Sequence, residues 1–176
     1  MTSRRPEPFR LDRIPTPVGE ALVVTDADGA LAALDFEDHE ERMRRLMARY
    51  YGPATMESGR SPARDAVEAY FAGELRALEG LARRRPGTAF QQAAWDALCL
   101  IPLGAAWSYG QLAARIGAPR AVRAVGLANG ANPIAVAVPC HRVIGRNGSL
   151  TGYGGGLARK AWLLEHEGAR LVSQAA

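Results

Sequence analysis

A cysteine and a histidine stand side by side at positions 140 and 141, directly after Pro139. A thiolate is a strong nucleophile, and a neighbouring imidazole can accept the thiol proton near neutral pH. On a regular strand adjacent side chains point to opposite faces, so cooperation between Cys140 and His141 requires a bent backbone or a bridging water. The pair predicts nucleophilic chemistry at Cys140, although a lone cysteine is usually a small buried hydrophobic residue.

The residues before this pair have the composition of a short buried strand. An apolar run ends at Val138, which precedes a proline and is therefore biased toward extended geometry. Pro139 fixes its own φ and lacks a backbone donor, so the hydrogen-bond ladder should end there. We therefore predict a short strand that leads into a loop carrying Cys140.

A helix is predicted downstream of the pair. Residues 157–167 have helical periodicity and are closed by Gly168. Lys160 and Glu167 fall on one face of this helix, so both can address the same loop two turns apart. A carboxylate in the last turn opposes the helix dipole, so Glu167 is either a solvated helix-end residue or is placed there for a purpose.

Two further helices with a tight turn between them are predicted upstream. Residues 109–116, the turn at 117–118 and residues 119–129 form a candidate helix-turn-helix, with an ordinary helical hairpin as the alternative. The second helix carries Arg123, which can contact phosphates. It also carries Gly126. Glycine inside a helix costs about 1 kcal/mol relative to alanine, so this residue is expected to serve packing or close contact with a partner rather than helix stability.

The first half of the chain predicts a small α/β unit without catalytic motifs. Residues 21–36 predict two strands around an Asp-Gly turn, and residues 37–49 predict a helix. A second helix is predicted from an N-cap at Ser61 to about residue 77. The fold class is therefore an α/β N-terminal domain, residues 1–85, followed by a mainly α C-terminal domain, residues 86–176.

The C-terminal domain opens with a predicted helix. Thr88 and Gln91 have the spacing of a capping box, and apolar residues follow at helical intervals. Cys99 lies inside the apolar segment from Trp95 to Ile101 and is predicted to be a core residue.

Composition and charge exclude several classes of protein. Hydrophobic residues make up 48% of the chain and no apolar run is long enough to span a bilayer, so we expect a cytoplasmic protein that does not bind membranes. Two cysteines and three histidines without metal-site spacing predict no metal and no cofactor. Residues 86–176 carry eight basic and three acidic side chains, a pattern typical of polyanion binders, though many basic domains bind nothing anionic.

Several ordered motifs between residues 88 and 168 resemble those of the O6-alkylguanine-DNA alkyltransferases. The resemblance rests on Asn132-Pro133, Pro139-Cys140-His141-Arg142-Val143, Gly152-Tyr153-Gly154-Gly155-Gly156 and Trp162-Leu163-Leu164-Glu165-His166-Glu167-Gly168. It implies a DNA repair protein that transfers an alkyl group from O6-alkylguanine, and from O4-alkylthymine, to Cys140 as a stable thioether without turnover.

The resemblance also implies a role for each catalytic residue. His141 takes the Cys140 proton through a water and is oriented by Glu167. The Asn132 side chain ties the DNA-reading helix to the segment that carries the cysteine.

Other matching residues are implied to bind DNA and the flipped base. Tyr109 donates to guanine N3, and Arg123 enters the duplex where the base leaves. Apart from the resemblance, the small residues of the second helix, Gly126 among them, are expected to allow close approach to the DNA. The remaining contacts are Val143 and Cys140 carbonyls to the amino group, Tyr153 and Gly154 amides to O6, and Lys160 to the active-site loop or the base.

The partner implied by the resemblance is double-stranded DNA with an alkylated guanine, bound mainly by the second helix of the helix-turn-helix. We expect a monomer, and cooperative binding of several copies stays open. The alternatives are a non-catalytic protein that recognises alkylated bases, a helix-turn-helix damage sensor, and a cysteine hydrolase. The first of these would lack the nucleophile, so the presence of Cys140 with His141 and Glu167 argues against it.

Overall fold

The computed structural model describes residues 8–170 and divides the chain into two compact units at the Pro86–Gly87 bond. The first unit is a four-stranded sheet with two helices, and the second is mainly helical. None of the helices in residues 8–170 has the length and hydrophobicity needed to cross a lipid bilayer.

The sheet of the first unit has the strand order β3-β2-β1-β4. Its strands β1 and β2 pair antiparallel, as do β2 and β3, whereas β1 and β4 pair parallel. The bounds are β1 Phe9–Thr16, β2 Gly19–Thr25, β3 Leu31–Phe36 and β4 Met56–Ser58, with helices α1 Glu40–Tyr51 and α2 Arg64–Phe71. One core cluster joins β1, β2 and β3 to α1 through Phe9, Leu11, Leu22, Val24, Ala32, Ala33, Met43 and Met47.

The predicted hairpin and first helix of this unit are confirmed, with Gly29 in the turn at a φ of 83°. The N-cap predicted at Ser61 is wrong, because α2 begins three residues later and its N-cap is Ala63. The Ser61 backbone N–H donates instead to the buried carboxylate of Asp12 at 2.9 Å, and the Ser61 hydroxyl accepts from the Ala63 N–H. The helix also ends at Phe71 rather than near residue 77.

The second unit places short strands among four helices. Its helices are α3 Ala89–Leu98, α4 Tyr109–Arg115, α5 Val122–Gly130 and α6 Leu157–His166, and strands β5 Trp107–Ser108 and β6 Val143–Ile144 pair parallel. The predicted capping box of Thr88 and Gln91 is confirmed, and Ser108 and Gln111 form a second one at α4. The order helix, turn, helix is found at α4 and α5, with Gly117 at a φ of 75° in the turn.

The strand predicted before Cys140 is wrong. Residues 135–137 form a turn, in which Val136 has a φ of 68°, and a 3-10 helix, Cys140–Arg142, follows. A left-handed φ is rare for a β-branched residue and is incompatible with a regular strand. The short strand of this region, β6, comes after the cysteine rather than before it.

The expectation that Cys99 is a core residue is also wrong. Helix α3 ends at Leu98, and Cys99, as its C-cap, is exposed. The apolar periodicity continues past the helix end to Ile101, which is buried, so the pattern alone does not locate the end of the helix. No disulfide joins Cys99 to Cys140.

We predict that Ser108→Ala lowers the free energy of unfolding by about 1 kcal/mol, because it removes the side chain that caps α4. Urea denaturation measures the change. Ser58→Ala, at an exposed strand position, is the control and should stay within about 0.5 kcal/mol of the parent. Equal stability of Ser108→Ala and the parent would show that the cap contributes nothing here.

Candidate active site

Cys140 begins the 3-10 helix and is almost fully buried, with 6% of its surface exposed. The preceding turn is held by Asn132. Its side-chain amide donates to the Val138 carbonyl at 2.9 Å, and its Oδ1 accepts from the Ile134 N–H at 3.0 Å. The Val138 N–H in turn donates to the Ile134 carbonyl at 3.0 Å. These bonds satisfy backbone groups that a strand would have paired in a ladder, which explains why the apolar run folds as a turn.

His141 and Glu167 meet in the interior. His141 has no exposed surface, and its Nε2 lies 2.7 Å from Oε1 of Glu167, the C-cap of α6. A carboxylate can only accept, so this bond fixes Nε2 as the protonated nitrogen of a neutral imidazole. The second nitrogen, Nδ1, has no hydrogen-bond partner within residues 8–170. The ring therefore presents one lone pair as a proton acceptor.

Arg142 completes this buried cluster. Its Nε donates to Oε1 of Glu167 at 2.9 Å, its Nη2 donates to Oε2 at 2.8 Å, and its Nη1 donates to the Ile101 carbonyl at 2.8 Å. Such a two-pronged contact between guanidinium and carboxylate is both strong and geometrically specific. The sequence reasoning missed this role of Arg142. The available indication was its place directly after Cys140 and His141 in an otherwise apolar segment.

The cluster sets opposite protonation states on its two titratable members. Burial alone would raise the pKa of Glu167, but the hydrogen bonds from Arg142 and His141 outweigh it and lower this pKa to about 2. Burial lowers the pKa of His141 below its usual 6.5, against the opposing effect of Glu167. At neutral pH the carboxylate is therefore charged and the imidazole is neutral, which is the state that a general base requires.

Lys160 is a buried cation close to the thiol. It has no exposed surface, and its Nζ donates to the Thr151 carbonyl at 2.8 Å. Burial lowers the pKa of Lys160 to about 8, and the nearby Cys140 acts in the opposite direction. Lys160 and Glu167 both lie near the cysteine segment, but their hydrogen bonds go to different segments: Lys160 donates to the Thr151 carbonyl, whereas Glu167 binds the 3-10 helix.

Tyr109 approaches the same loop from α4. Its hydroxyl donates to the carbonyls of Thr151 and Gly152 at 3.3 and 3.5 Å, and burial raises its pKa. A Cβ added to Gly126 would lie 3.9 Å from the Tyr109 ring, an ordinary contact, so the fold itself does not require glycine at that position. Asn129, near the end of α5, donates from Nδ2 to the Cys140 carbonyl at 3.4 Å.

The structure thus brings together most of the residues selected from the sequence, but not all. The buried members near the thiol are Asn132, Cys140, His141, Val143, Lys160 and Glu167. Tyr153 and Gly154 are partly exposed in the glycine-rich loop, and Arg123 is exposed on α5. Sequence reasoning missed Asn129, which resembles an ordinary helix-end residue.

No group of three or more His, Cys, Asp and Glu side chains capable of holding a metal occurs within the described range 8–170. The chemistry available at this site is that of a thiol, a neutral imidazole, a phenol and an ammonium group.

Comparison with known proteins identifies similar chains. Residues 89–169 match the family described as 6-O-methylguanine DNA methyltransferase, DNA binding domain. A methylated-DNA–protein-cysteine methyltransferase of Salmonella typhimurium is 48% identical over 168 residues, which covers 92% of this chain and 96% of that protein. A protein of the same name from Mycobacterium tuberculosis is 60% identical over 110 residues, covering 62% of this chain and 66% of that one.

The fold is also similar to a solved structure. The Mycobacterium tuberculosis OGT in complex with DNA superposes with a TM-score of 0.77 at 42% identity, covering 90% of this chain and 92% of that one.

The buried ion pair generates a stability prediction. Arg142→Met should lower the free energy of unfolding by about 3 to 5 kcal/mol at neutral pH, because it leaves the Glu167 carboxylate buried without its guanidinium partner. The pKa of Glu167 is lower in the folded protein, so its contribution to stability is present above pH 4.5 and is lost as the pH falls toward 2. The difference in the free energy of unfolding between the parent and Arg142→Met should therefore shrink as the pH falls from 4.5 toward 2.

Urea denaturation at several pH values measures this deficit. Arg45→Met is the matched control, since the pair of Arg45 with Glu41 is exposed and its atoms are 4.0 Å apart, and it should change stability by less than about 1 kcal/mol. An Arg142→Met deficit that stays constant from pH 7 to pH 3 would contradict the assignment of the loss to Glu167.

Proposed function

Because this chain belongs to the methylated-DNA–protein-cysteine methyltransferase family, we propose that it repairs DNA by transferring an alkyl group from O6-alkylguanine to its own Cys140. The observation that carries the proposal is the buried hydrogen bond between His141 and Glu167, next to a nearly buried thiol. A carboxylate, a neutral imidazole and a thiol in this order are what nucleophilic catalysis by cysteine requires.

The proposed reaction forms one bond and breaks one. His141 takes the thiol proton at Nδ1 by way of a bridging water, while Glu167 stabilises the resulting imidazolium. The Cys140 sulfur bonds to the alkyl carbon, and the bond between that carbon and O6 breaks with its electron pair moving to the base. The guanine takes up one proton, which balances the one that left the thiol. A thioether does not revert to a thiol by any of these steps, so each molecule reacts once.

The substrate must reach the thiol as an extruded nucleotide. O6 of a paired guanine lies inside the duplex, and chemistry on such an atom requires base flipping. We assign DNA binding to α4 and α5 as a helix-turn-helix, with α5 as the main contact and Gly126 allowing its close approach. Arg123, exposed on α5, fills the space that the base leaves.

The flipped base is bound by groups around the thiol. In this proposal the Tyr109 hydroxyl donates to N3, and the carbonyls of Cys140 and Val143 accept from the amino group. The amides of Tyr153 and Gly154 face O6. Lys160 holds the loop that closes over the base, and its positive charge favours the thiolate. Asn132 keeps the turn before Cys140 in register with α5.

A protein that only recognises alkylated bases, or a helix-turn-helix sensor, has no need of a buried imidazole-carboxylate pair beside a thiol. O4-alkylthymine is a second substrate in the proposal, because it also carries an alkyl group on an exocyclic oxygen. We place the reaction in the cytoplasm and assign it to a monomer that needs no cofactor.

We predict that Cys140→Ala abolishes alkyl transfer and leaves DNA binding within about twofold of the parent. The substitution removes only the sulfur that receives the alkyl group and changes little else in the side chain. Intact-protein mass spectrometry after incubation with O6-methylguanine duplex measures the transfer, and a gel-shift titration measures binding. Cys99→Ala is the control and should gain one methyl group as the parent does, since Cys99 is an exposed thiol at the end of α3. A methylated Cys99 in the Cys140→Ala protein would contradict the proposal.

We also predict that Glu167→Gln slows single-turnover transfer at pH 7 by roughly tenfold to a hundredfold. This loss is at most the smallest contribution that a general base typically makes, because the variant weakens His141 without removing it. Loss of the carboxylate weakens His141 as a base, so the thiol is less readily ionised. Alkaline pH ionises the thiol directly and should restore part of the rate.

A pH profile of the rate constant decides this prediction. In the parent, the pKa of His141 is lowered below 6.5, so the rate constant should hold as the pH falls to 6.5 and decline only below it. Glu165→Gln, at an exposed position two residues earlier, is the matched control with a parental profile. Identical profiles for Glu167→Gln and the parent would mean that Cys140 is activated in another way.

A further inference from the structure

Asn129 is a buried polar side chain beside the reactive cysteine. It lies at the second-last position of α5 and is 4% exposed. Its Oδ1 has no hydrogen-bond partner in the part of the chain from residue 8 to residue 170. A buried acceptor without a partner destabilises a protein, and an apolar side chain of similar size would avoid that loss. The asparagine therefore calls for an explanation other than packing.

The neighbouring carbonyl fixes the orientation of the Asn129 amide. Its nitrogen faces the Cys140 carbonyl at 3.4 Å. In the opposite orientation, Oδ1 would face that carbonyl oxygen, and two acceptors would meet without a hydrogen between them. The NH₂ group must therefore point toward Cys140.

Tyr109 lies near the same amide. The Tyr109 ring lies along α5 beside Gly126, one helical turn before Asn129. Burial raises the pKa of Tyr109, and hydrogen bonding by the Asn129 side chain acts in the opposite direction. That direction is the one expected when an N–H donates to the phenolic oxygen, because such a bond stabilises its ionised form. An NH₂ group has two hydrogens, enough for both Cys140 and Tyr109.

A hydroxyl that accepts from Asn129 must direct its own hydrogen elsewhere. In the structure the Tyr109 hydroxyl donates to the loop carbonyl of Thr151. When a base replaces that contact, the hydroxyl is already oriented as a donor toward it. A donor oriented before the substrate arrives does not have to be reoriented during the reaction.

We propose that Asn129 is a positioning residue for alkyl transfer, whose amide group donates to both the Cys140 carbonyl and the Tyr109 hydroxyl. Helix α5 thereby aligns the nucleophile and the group that donates to the base from one side chain. This inference rests on the proposed function, and Asn129 acts through its two neighbours rather than on the alkyl group.

The test uses the full-length protein with Asn129→Leu, which keeps the approximate volume and removes both donors. Single-turnover transfer from O6-methylguanine duplex separates two quantities: the amplitude counts folded, reactive molecules, and the rate constant reports the chemistry. We expect a rate constant roughly tenfold lower, because each of the two lost hydrogen bonds makes only a modest net contribution, with the affinity for unmodified duplex retained. Asn147→Leu, at an exposed loop position, is the matched control and should react as the parent does.

A double-mutant cycle with Tyr109→Phe tests the route of the effect. If Asn129 orients the Tyr109 hydroxyl, the fold-loss in the double variant is smaller than the product of the two single fold-losses. A reduced amplitude for Asn129→Leu would mean that part of the variant does not fold. The rate constant of its folded fraction, together with the rate constant of Asn129→Ala, then tests the inference in the same way.

Two results overturn the inference: a parental rate constant for Asn129→Leu, or fold-losses that multiply fully in the double variant. Failure of the parent protein itself to take up a methyl group would overturn the proposed function instead, so the two failures are distinguishable.

Discussion

The carboxylate of Glu167 is the interaction on which the catalytic part of the second unit depends. Its two oxygens accept from His141 once and from Arg142 twice, which joins the end of α6 to the 3-10 helix of Cys140. Arg142 extends the connection to the Ile101 carbonyl, just beyond α3. Because the charge is buried, removing Arg142 would leave it without a compensating cation, whereas removing His141 would cost Oε1 one hydrogen bond. The bond between Glu167 and His141 also fixes which nitrogen of the imidazole carries the proton.

Asparagine side chains replace regular backbone pairing around the nucleophile. Asn132 closes the turn before Cys140, and Asn129 contacts the carbonyl of Cys140 itself. Both lie at or just beyond the end of α5, the helix that we assign to DNA. A displacement of α5 would therefore reach the thiol through two short side-chain contacts. In the proposed reaction this arrangement lets binding of DNA and alignment of the thiol depend on the same helix.

The sequence predicted the chemistry of the site better than its backbone. Cys140, His141 and Glu167 lie within 27 positions of one another, and the family resemblance paired His141 with Glu167 as the structure does. The apolar run before Cys140 suggested a strand, because periodicity does not distinguish a buried turn from a buried strand. What decides the outcome is the left-handed φ of Val136 and the bonds made by Asn132, which depend on the tertiary fold.

Other features could not be predicted because they depart from the usual locations of their residue types. Arginine and asparagine are mostly surface residues, so nothing in composition places Arg142 or Asn129 in the interior. Strand β1, which contains Pro15, was not predicted either. Its pairing with β4 covers only Phe9–Leu11, so Pro15 lies where that edge is open and its missing N–H is tolerated.

Burial of the Glu167 cluster means that salt acts unequally on the stages of the proposed reaction. Dissolved ions screen exposed charges over about 8 Å at physiological ionic strength, but they do not enter a packed interior. In the proposed function, exposed arginines such as Arg123 bind DNA, and such association depends on displaced counterions and weakens steeply as salt rises. The proposed proton transfer from Cys140 to His141 depends instead on the buried charge of Glu167, which counterions cannot approach. Ionic strength would thus govern how many DNA lesions are occupied, while the speed of transfer within an occupied complex stays the same.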